Sequence, residues 1–170
     1  EMAITDALTG LHNRRYLERH LATLVAQAQS RTKPLSLLVL DIDHFKSIND
    51  RHGHAQGDEV LRMVGNCLRE TARDTDVVCR YGGEEFVVLM PSTDITDAEA
   101  GAERIRVAIA ARPFSGIAVT AGLGVSALSL QPRNPQEMMD QADKCLYVAK
   151  RNGRNQVVRW DAAQHDLEVP

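Results

Sequence analysis

Hydrophobic residues in the first part of the chain follow a helical, then a strand-like and again a helical spacing. Apolar residues recur at helical intervals over Leu17–Ala28, after Asn13, a residue type that caps helix N-termini. The nearly continuous apolar run Leu35–Ile42 is typical of a strand covered on both faces, which places it at the centre of a sheet. A second helical pattern extends over Val60–Leu68, with Asp58 as its expected cap.

The next segment predicts a β-hairpin with an acidic turn. Two β-prone runs, Val77–Tyr81 and Phe86–Met90, flank the sequence Gly82-Gly83-Glu84-Glu85. The turn glycines Gly82 and Gly83 have no Cβ and let the backbone approach a ligand closely. A plain solvated hairpin would account for one glycine and one glutamate here, but not for the whole turn.

Hydrophobic spacing in the second half predicts two more helices and two more strands. The first is a helix with the capping box Thr96-x-x-Glu99 that ends near Ala111, and an alternating strand over Val119–Ala127 follows it. The next helix begins at Asn134-Pro135 and ends at Gly153, and a short strand over Gln156–Trp160 comes last. Gly122 falls inside the first of these strands, where a glycine loosens the strand or marks a bulge.

The order of these elements predicts an α/β fold, specifically an α+β sandwich in which helices surround a central, mostly antiparallel sheet. Neither common glycine-rich phosphate loop, G-x-G-x-x-G or G-x-x-x-x-G-K-[ST], is present in the sequence, which disfavours dinucleotide dehydrogenases and P-loop enzymes. We expect one domain over residues 13–160, preceded by a segment at 1–12 and followed by a tail at 161–170.

Composition and charge exclude further classes of protein. The 170 residues include 20 Lys and Arg against 23 Asp and Glu, a net charge of −3, without the basic excess of proteins that bind nucleic-acid polymers. The longest apolar run, Leu35–Leu40, is far too short to span a membrane. Cys67, Cys79 and Cys145 lie within apolar patterns, as reduced core cysteines do. The sequence thus predicts a cytoplasmic location with no membrane contact in this part of the protein.

Four carboxylates are candidates for a metal site. Asp41 and Asp43 lie two apart at the end of the central strand, and side chains at that spacing face the same way. An Asp at a strand exit is also ordinary turn chemistry. If the hairpin lies beside the central strand, Glu84 and Glu85 come near Asp41, and carboxylates crowded in this way need a cation to stay ionised. Mg²⁺ prefers such oxygen ligands and leaves its other positions to phosphates.

Five ordered motifs resemble one family. They are DALTGLHNRR at 6–15, DIDHFKSIND at 41–50, GHAQGD at 53–58, RYGGEEF at 80–86 and AKRNGRN at 149–155. Together they are similar to the signatures of the GGDEF family of diguanylate cyclases, in its GGEEF form. The resemblance implies condensation of two GTP molecules into cyclic di-GMP with release of two pyrophosphates, on a fold like the palm of nucleotidyl cyclases and polymerases.

The resemblance also implies roles for the acidic residues. Asp41, the main-chain carbonyl of Ile42, and Glu84 would hold Mg²⁺, or Mn²⁺ as an alternative, with Glu85 assisting and two ions in each active site. A carboxylate-held pair of metal ions can activate a ribose 3′-oxygen and stabilise the leaving pyrophosphate. Glu84, with Glu85 beside it, would act on the 3′-hydroxyl as the catalytic residue. Asp43 also matches the family pattern, and a structural role, or one that supports the metal ligands, is expected in preference to direct binding of the metal.

Guanine recognition is assigned by the same resemblance to Asn49 and Asp58. A carboxylate can accept both donors of the guanine edge, and an amide can serve the remaining sites. For Asp58, a helix-capping role is the alternative, and one carboxylate could do both. His54 is a weaker substrate candidate, whose alternative role is to order the turn as a loop histidine.

The same resemblance assigns phosphate binding to basic residues and to the turn after the central strand. Lys150 and Arg154, four apart, would pair with the β- and γ-phosphates, while solvated charge at a helix end is the alternative. Phe45 and Lys46 would border the same phosphates.

The resemblance also implies a second, inhibitory site, because the R-x-x-D pattern of Arg73 and Asp76 is similar to the family's product-inhibition motif and Arg104 on the next helix occupies the matching position. Arginine can read guanine and phosphate with paired hydrogen bonds, so these residues would clamp the cyclic dinucleotide product. A charged loop with a chance R-x-x-D is the alternative.

Two departures from the family pattern are Gly122 and the short segment Pro113–Val119, neither of which touches the expected metal or base positions. A rival function is a binding module that senses GTP or cyclic di-GMP without catalysis, although such modules usually lose the acidic turn. A single-nucleotide cyclase is disfavoured by the guanine pair. Because the product joins two GTP molecules by reciprocal bonds, catalysis is expected in a homodimer. A regulatory region is expected upstream of Glu1.

Overall fold

The computed structural model describes residues 3–128 and 134–161. Over these ranges the chain forms, in order, α1 (Arg14–Arg31), β1 (Leu35–Ile42), α2 (Phe45–His52), α3 (His54–Thr71), β2 (Val77–Arg80), β3 (Glu85–Pro91), α4 (Ile95–Ala110), β4 (Ala121–Ala127), α5 (Pro135–Arg151) and β5 (Val157–Arg159). Within those ranges, we find no helix that is both long and apolar enough to cross a membrane.

The sheet has the strand order β2-β3-β1-β4-β5, with β1 at its centre. β1 pairs antiparallel with β3 and β4, β2 pairs antiparallel with β3, and β5 pairs parallel with β4. All eight residues of β1 are buried, so the prediction of a central strand covered on both faces is confirmed. The α+β sandwich with a mostly antiparallel sheet is also confirmed.

Helices cover both faces of this sheet. Leu38 and Leu40 of β1 pack on the side of α3 and α4, whereas Leu37 and Val39 pack on the side of α1 and α5. Successive strand residues point to opposite faces, so one central strand contributes to two cores. Its polar end is thereby held in place from both sides.

Two of the predicted helix starts are confirmed by their caps. The Asn13 side chain accepts a hydrogen bond from the Tyr16 amide at 3.1 Å, and the Asn134 side chain accepts one from the Glu137 amide at 2.9 Å. In both cases a short polar side chain satisfies an amide that has no partner within the helix. Pro135 opens α5, as expected from its lack of an N–H.

The predictions of two other helix starts are wrong. α3 begins at His54 rather than near Asp58, so Asp58 lies inside the helix and does not cap it, and His54 is a helical residue rather than a loop residue. α4 begins at Ile95, where the Asp94 side chain accepts from the Asp97 amide at 2.8 Å. Thr96 is therefore within α4, because the carboxylate of Asp94 already fulfils the capping role.

The helix α2 was not predicted, because its eight residues contain just two buried apolar side chains, Phe45 and Ile48. β4 also differs from its prediction. It is buried on both faces instead of alternating, and Gly122 pairs in continuous register with Asp41, so the bulge, one of the two alternatives for this glycine, is absent from the described strand.

Glycine in β4 serves close packing. A Cβ at Gly124 would lie 2.1 Å from the carbonyl oxygen of Ala142 and 2.6 Å from the amide nitrogen of Leu146. Since real Cβ atoms do not approach backbone so closely, α5 could not lie where it does over any other residue. The position of α5 relative to the sheet thus depends on this missing side chain.

Candidate functional site

The acidic turn lies beside the end of the central strand, as predicted. In the pairing of β1 with β3, Asp41 is opposite Glu85, and the amide of Ile42 donates to the carbonyl oxygen of Glu84 at 3.3 Å. Backbone pairing therefore brings the three carboxylates of Asp41, Glu84 and Glu85 to one end of the sheet. Their approach follows from the strand register rather than from flexible side chains.

Crowding changes the acidity of these carboxylates. Burial raises the pKa of Asp41, which is 5% exposed, although a hydrogen bond from Lys150 opposes the change. Burial and the nearby charge of Asp41 raise the pKa of both Glu84 and Glu85. Each of the three groups is thus harder to ionise than usual, and a cation placed among them would lower that cost.

Lys150 supplies a positive charge to this cluster. Its Nζ lies 2.6 Å from Oδ2 of Asp41, with the lysine side chain 37% exposed and the aspartate side chain 6% exposed. Arg154, which has a left-handed backbone just beyond α5, also acts electrostatically on Asp41. The structure therefore places both predicted phosphate ligands near Asp41, with Lys150 bonded to its carboxylate.

Asp43 holds three segments together at the same end of the sheet. Its Oδ2 accepts hydrogen bonds from the Thr120 hydroxyl at 2.7 Å and from the Asn155 amide at 2.9 Å. Its own amide donates to the carbonyl oxygen of Thr120 at 2.9 Å. These bonds fix the start of β4 and the loop after α5 against the end of β1, which agrees with the structural role expected for Asp43.

The donor set can be tested against a metal ion. In the part of the chain that the structure describes, no three His, Cys, Asp or Glu side chains are grouped closely enough to hold a metal by themselves. Asp41 and Glu84 nevertheless offer carboxylate oxygens of raised pKa, and Ile42 offers a main-chain carbonyl beside them. Such hard oxygen donors fit Mg²⁺, which takes few protein ligands and fills its remaining positions with water or phosphate oxygens.

The first turn of α2 carries the two other residues predicted to border the phosphates. The Phe45 side chain is buried in the core and is 8% exposed, whereas Lys46 is exposed. Amides in the first turn of a helix have no partner within it and can bind anions. Contact of Phe45 with phosphate would therefore use its main chain, while Lys46 could also use its ammonium group.

The predicted guanine residues lie on two consecutive helices. Asn49 is half-buried on α2, and Asp58 is exposed on α3, with Gly53 joining the two helices at a φ of 86°. His54 is exposed at the first position of α3. The helices α2 and α3 pack together, which puts Asn49 close to Gly57, the neighbour of Asp58.

The three predicted inhibitory-site residues line one cavity of about 170 Å³, at the end of the β2–β3 hairpin remote from the acidic turn. The Arg73 amide donates to Oδ2 of Asp76 at 2.9 Å, and the Arg73 guanidinium donates to Oδ1 of Asp76 and to the Thr93 hydroxyl. Arg104 faces the same cavity from α4. The three residues that the sequence assigned to one site therefore lie around one surface pocket in the structure.

Arg80 supports the turn in a way that sequence reasoning missed. Its guanidinium donates to the carbonyl oxygens of Gly82 at 3.2 Å and Gly83 at 2.9 Å, and to Oδ1 of Asp6 at 3.1 Å. Burial acts to raise the pKa of Asp6, but hydrogen bonds from Thr9 and Arg80 outweigh it and lower the pKa. The N-terminal segment is thus bonded to the turn that carries both glutamates.

These sequence motifs and this geometry agree with one family model. Residues 3–156 match the model of the diguanylate cyclase GGDEF domain. The chain belongs to the GGDEF family. The resemblance drawn from the motifs is thereby confirmed.

Named relatives of this GGDEF domain include a signalling protein and two solved domains. The response regulator PleD of Caulobacter vibrioides is 48% identical over 164 residues, which are 93% of this chain but 36% of PleD. The GGDEF domain of DgcB from Caulobacter crescentus, solved in complex with c-di-GMP, is 35% identical with a TM-score of 0.88, over 94% of this chain and 96% of that one. The active GGEEF domain of a Vibrio cholerae diguanylate cyclase is 36% identical with a TM-score of 0.84, over 88% and 97%.

Asp143 is a further residue of the GGDEF domain that the sequence analysis did not identify. It lies on α5 at an exposed position, yet desolvation by the protein atoms around its carboxyl group, together with Glu85 and Asp140, raises the pKa of Asp143 to about 6. Its spacing of seven residues from Lys150 places both on one helix face, a signal that the sequence contained. Asp143 therefore adds negative charge to the surroundings of Glu85.

Proposed function

We propose that this GGDEF domain condenses two molecules of GTP into cyclic di-GMP and releases two pyrophosphates. The observation that carries the proposal is the convergence of Asp41, Glu84 and Glu85 at one end of the sheet, beside Lys150. The crystallised DgcB domain with c-di-GMP and the active GGEEF domain from Vibrio cholerae support the same reaction. The chain spans about a third of PleD, so the activity of any longer protein that contains this domain is part of the proposal.

In each half-reaction, the 3′-oxygen of one GTP attacks the α-phosphorus of the other. The new bond joins that oxygen to phosphorus, the bond to the bridging oxygen breaks, and pyrophosphate leaves with its electron pair. Mg²⁺, or Mn²⁺, two per site, would supply charge stabilisation for the attacking and leaving oxygens. Asp41, the main-chain carbonyl of Ile42, and Glu84 would hold these ions, with Glu85 assisting.

The remaining roles belong to residues of this chain. The Glu84 carboxylate accepts the proton of the 3′-hydroxyl, a task for which a raised pKa is favourable. Lys150 and Arg154, with the first turn of α2, bind the β- and γ-phosphates. Asn49 and Asp58 read the guanine edge, and His54 contributes to the same site.

Two partners follow from the reaction. A second copy of the chain, related by a two-fold axis, would present the other GTP, so that each 3′-hydroxyl meets the opposite α-phosphate. Cyclic di-GMP would bind the cavity of Arg73, Asp76 and Arg104 and inhibit the enzyme. We place the protein in the cytoplasm, in keeping with Cys67, Cys79 and Cys145, which are all buried in the apolar cores.

Incubation of the chain with GTP and Mg²⁺, followed by mass analysis of the nucleotides, tests this proposal. We expect cyclic di-GMP and pyrophosphate in a ratio of one to two, and no product from ATP. Omission of the divalent cation should stop the reaction. Binding of GTP without any dinucleotide, at protein concentrations high enough to form a dimer, would instead favour the sensing module.

A further inference from the structure

The amide group of Asn49 occupies the space where a side chain on Gly57 would lie. A Cβ built on Gly57 would be 1.8 Å from Oδ1 of Asn49 and 3.0 Å from its Cγ. It would also lie 3.4 Å from Cζ of Phe45. Gly57 is buried on α3 and Asn49 is half-buried on α2, so the contact lies between the two helices.

The backbone conformation at Gly57 does not require a glycine. Gly57 lies within α3, three residues after the first helical residue, and its φ is in the ordinary negative range. Glycine is the least favourable residue after proline inside a helix, so an alanine would suit α3 better. What an alanine would not allow is the present position of the Asn49 amide.

A second glycine of the same helix shows the contrast. A Cβ on Gly65 would lie 3.4 Å from carbon atoms of the Leu11 and Thr9 side chains, which is close to ordinary packing. Of these two buried glycines of α3, therefore, Gly57 alone excludes a methyl group by contact with a polar side chain. The contact atom is the far end of a flexible side chain, so added bulk would displace the amide rather than the helix.

We propose that Gly57 is a specificity-determining position of the nucleotide site, because the missing side chain leaves room for the Asn49 amide against α3, at the residue before Asp58. The inference rests on the proposed function, in which Asn49 and Asp58 bind the guanine base. An amide that can occupy this position can meet a donor and an acceptor of guanine together, whereas a displaced amide loses hydrogen bonds that depend steeply on distance and angle. Gly57 is a positioning residue, since it contacts Asn49 and not the base.

The test compares nucleotide binding by Gly57→Ala and by the matched control Gly65→Ala. Calorimetry with Mg²⁺ and the 3′-deoxy forms of GTP and ATP measures affinity without turnover. We expect Gly57→Ala to reduce the preference for the guanine nucleotide by about tenfold or more, through weaker binding of 3′-deoxy-GTP. Gly65→Ala should keep the preference of the parent protein. An unchanged preference in Gly57→Ala would overturn the proposal.

A double-variant cycle shows whether Asn49 mediates the effect. In an Asn49→Ala background, the added methyl has nothing to displace, so Gly57→Ala should cause no further loss of preference. An equal loss in both backgrounds would overturn the positioning role and point to Phe45 instead. If Asn49→Ala itself leaves the preference unchanged, the assignment of the guanine site in the proposed function fails. If Asn49→Ala lowers the preference and Gly57→Ala does not, this inference alone fails.

Thermal unfolding of the same variants shows whether a substitution destabilises the fold. Because the amide can rotate away and alanine favours the helix, Gly57→Ala should melt at or above the temperature of the parent protein. If it melts lower, the variant with both substitutions should recover the loss, since removal of the Asn49 amide makes room for the methyl. A lower melting temperature that persists in the double variant would contradict the proposed contact.

Discussion

The ammonium nitrogen of Lys150 lies 2.6 Å from Oδ2 of Asp41, 109 positions apart in the chain. The pair joins α5 to the end of the central strand and sets a cation on a buried carboxylate. Lys150 thus has two potential partners. One is the Asp41 carboxylate that it contacts, and the other is the β- and γ-phosphates of GTP that it is proposed to bind. Exchange between these partners would couple nucleotide binding to release of Asp41.

Lys150→Met should therefore change stability and metal binding in opposite directions. Loss of the ammonium leaves the buried Asp41 carboxylate without its partner, which should lower the free energy of unfolding by about 1–3 kcal/mol in urea at neutral pH. The affinity for Mn²⁺ alone, measured by electron paramagnetic resonance, should rise because Asp41 is no longer shared. Lys144→Met is the control, since that ammonium lies 5.5 Å from the ring centre of Trp160. Equal Mn²⁺ affinity in Lys150→Met and the parent protein would exclude this competition.

Glu84→Gln should abolish dinucleotide formation while the fold stays intact. The amide cannot accept the 3′-hydroxyl proton and is a poor metal ligand, so the rate should fall by several powers of ten, each about 1.4 kcal/mol of barrier. Product is measured by mass analysis, and fold by circular dichroism and thermal unfolding. Glu99→Gln, a change of the same type at a residue 3.7 Å from Arg159, should retain the parent rate. Turnover by Glu84→Gln at that rate would remove Glu84 from the active site.

Arg73→Ala should bind cyclic di-GMP at least about tenfold more weakly, because it loses charged hydrogen bonds to the product. Its initial rate without added product should equal that of the parent protein, since the cavity lies at the other end of the hairpin. Calorimetry measures the first property and a rate assay the second. Arg62→Ala, which breaks a surface ion pair with Glu59, is the control. Undiminished product binding by Arg73→Ala would exclude the inhibitory site.

The stack of His12, Tyr16 and His20 along the start of α1 predicts a dependence of stability on pH. The His12 and Tyr16 rings are 3.8 Å apart and nearly parallel, and the rings of Tyr16 and His20 are 4.9 Å apart. Burial, and then the nearby His20, lower the pKa of His12 below its usual value. The folded protein therefore binds a proton at His12 less readily than the unfolded chain does.

The stability that comes from neutral His12 is complete above about pH 6.5 and decreases as the pH falls from there towards the lower pKa of the folded state. Urea unfolding at about pH 7.5 and about pH 5.5 should show a larger loss in the parent protein than in His12→Gln. Nuclear magnetic resonance should show the His12 ring titrating below about pH 6.5. Titration at or above that value would contradict the effect of burial.

Assembly can be tested through the order of the reaction. If each chain holds one GTP, the initial rate of a mainly monomeric protein rises about as the square of its concentration. A leucine-zipper dimer fused before Glu1 should raise the specific activity and bring the order towards one. Sedimentation measures the oligomeric state in the same range. A constant specific activity in a protein that stays monomeric on dilution would contradict the two-chain reaction.

Local sequence patterns predicted those features that depend on neighbouring residues. The apolar run of β1 indicated a strand buried on both faces, and the hairpin placed Glu84 and Glu85 beside Asp41. The caps at Asn13 and Asn134 were also visible in the sequence, since a capping side chain bonds an amide three residues on.

Other features depend on contacts between distant residues. The sequence does not show that Gly124 leaves room for the backbone of α5, or that Lys150 meets Asp41. The assignment of Thr96 as a cap failed because two capping patterns overlap, and Asp94 forms the hydrogen bond. Such outcomes follow from the packing of whole helices, which a local pattern does not contain.

Arg80 gives the turn a link to a remote part of the chain, through its bonds to Asp6 and to the carbonyl oxygens of Gly82 and Gly83. The Thr9 amide donates to Asp6, and the Tyr81 amide donates to Glu85. Local unfolding of the N-terminal segment or of the turn would break hydrogen bonds to the Arg80 guanidinium. The amides of Thr9 and Tyr81 should therefore exchange with deuterium through one shared local unfolding event. We therefore expect the N-terminal segment and the acidic turn to open together, so that a change that loosens the segment should also loosen the turn.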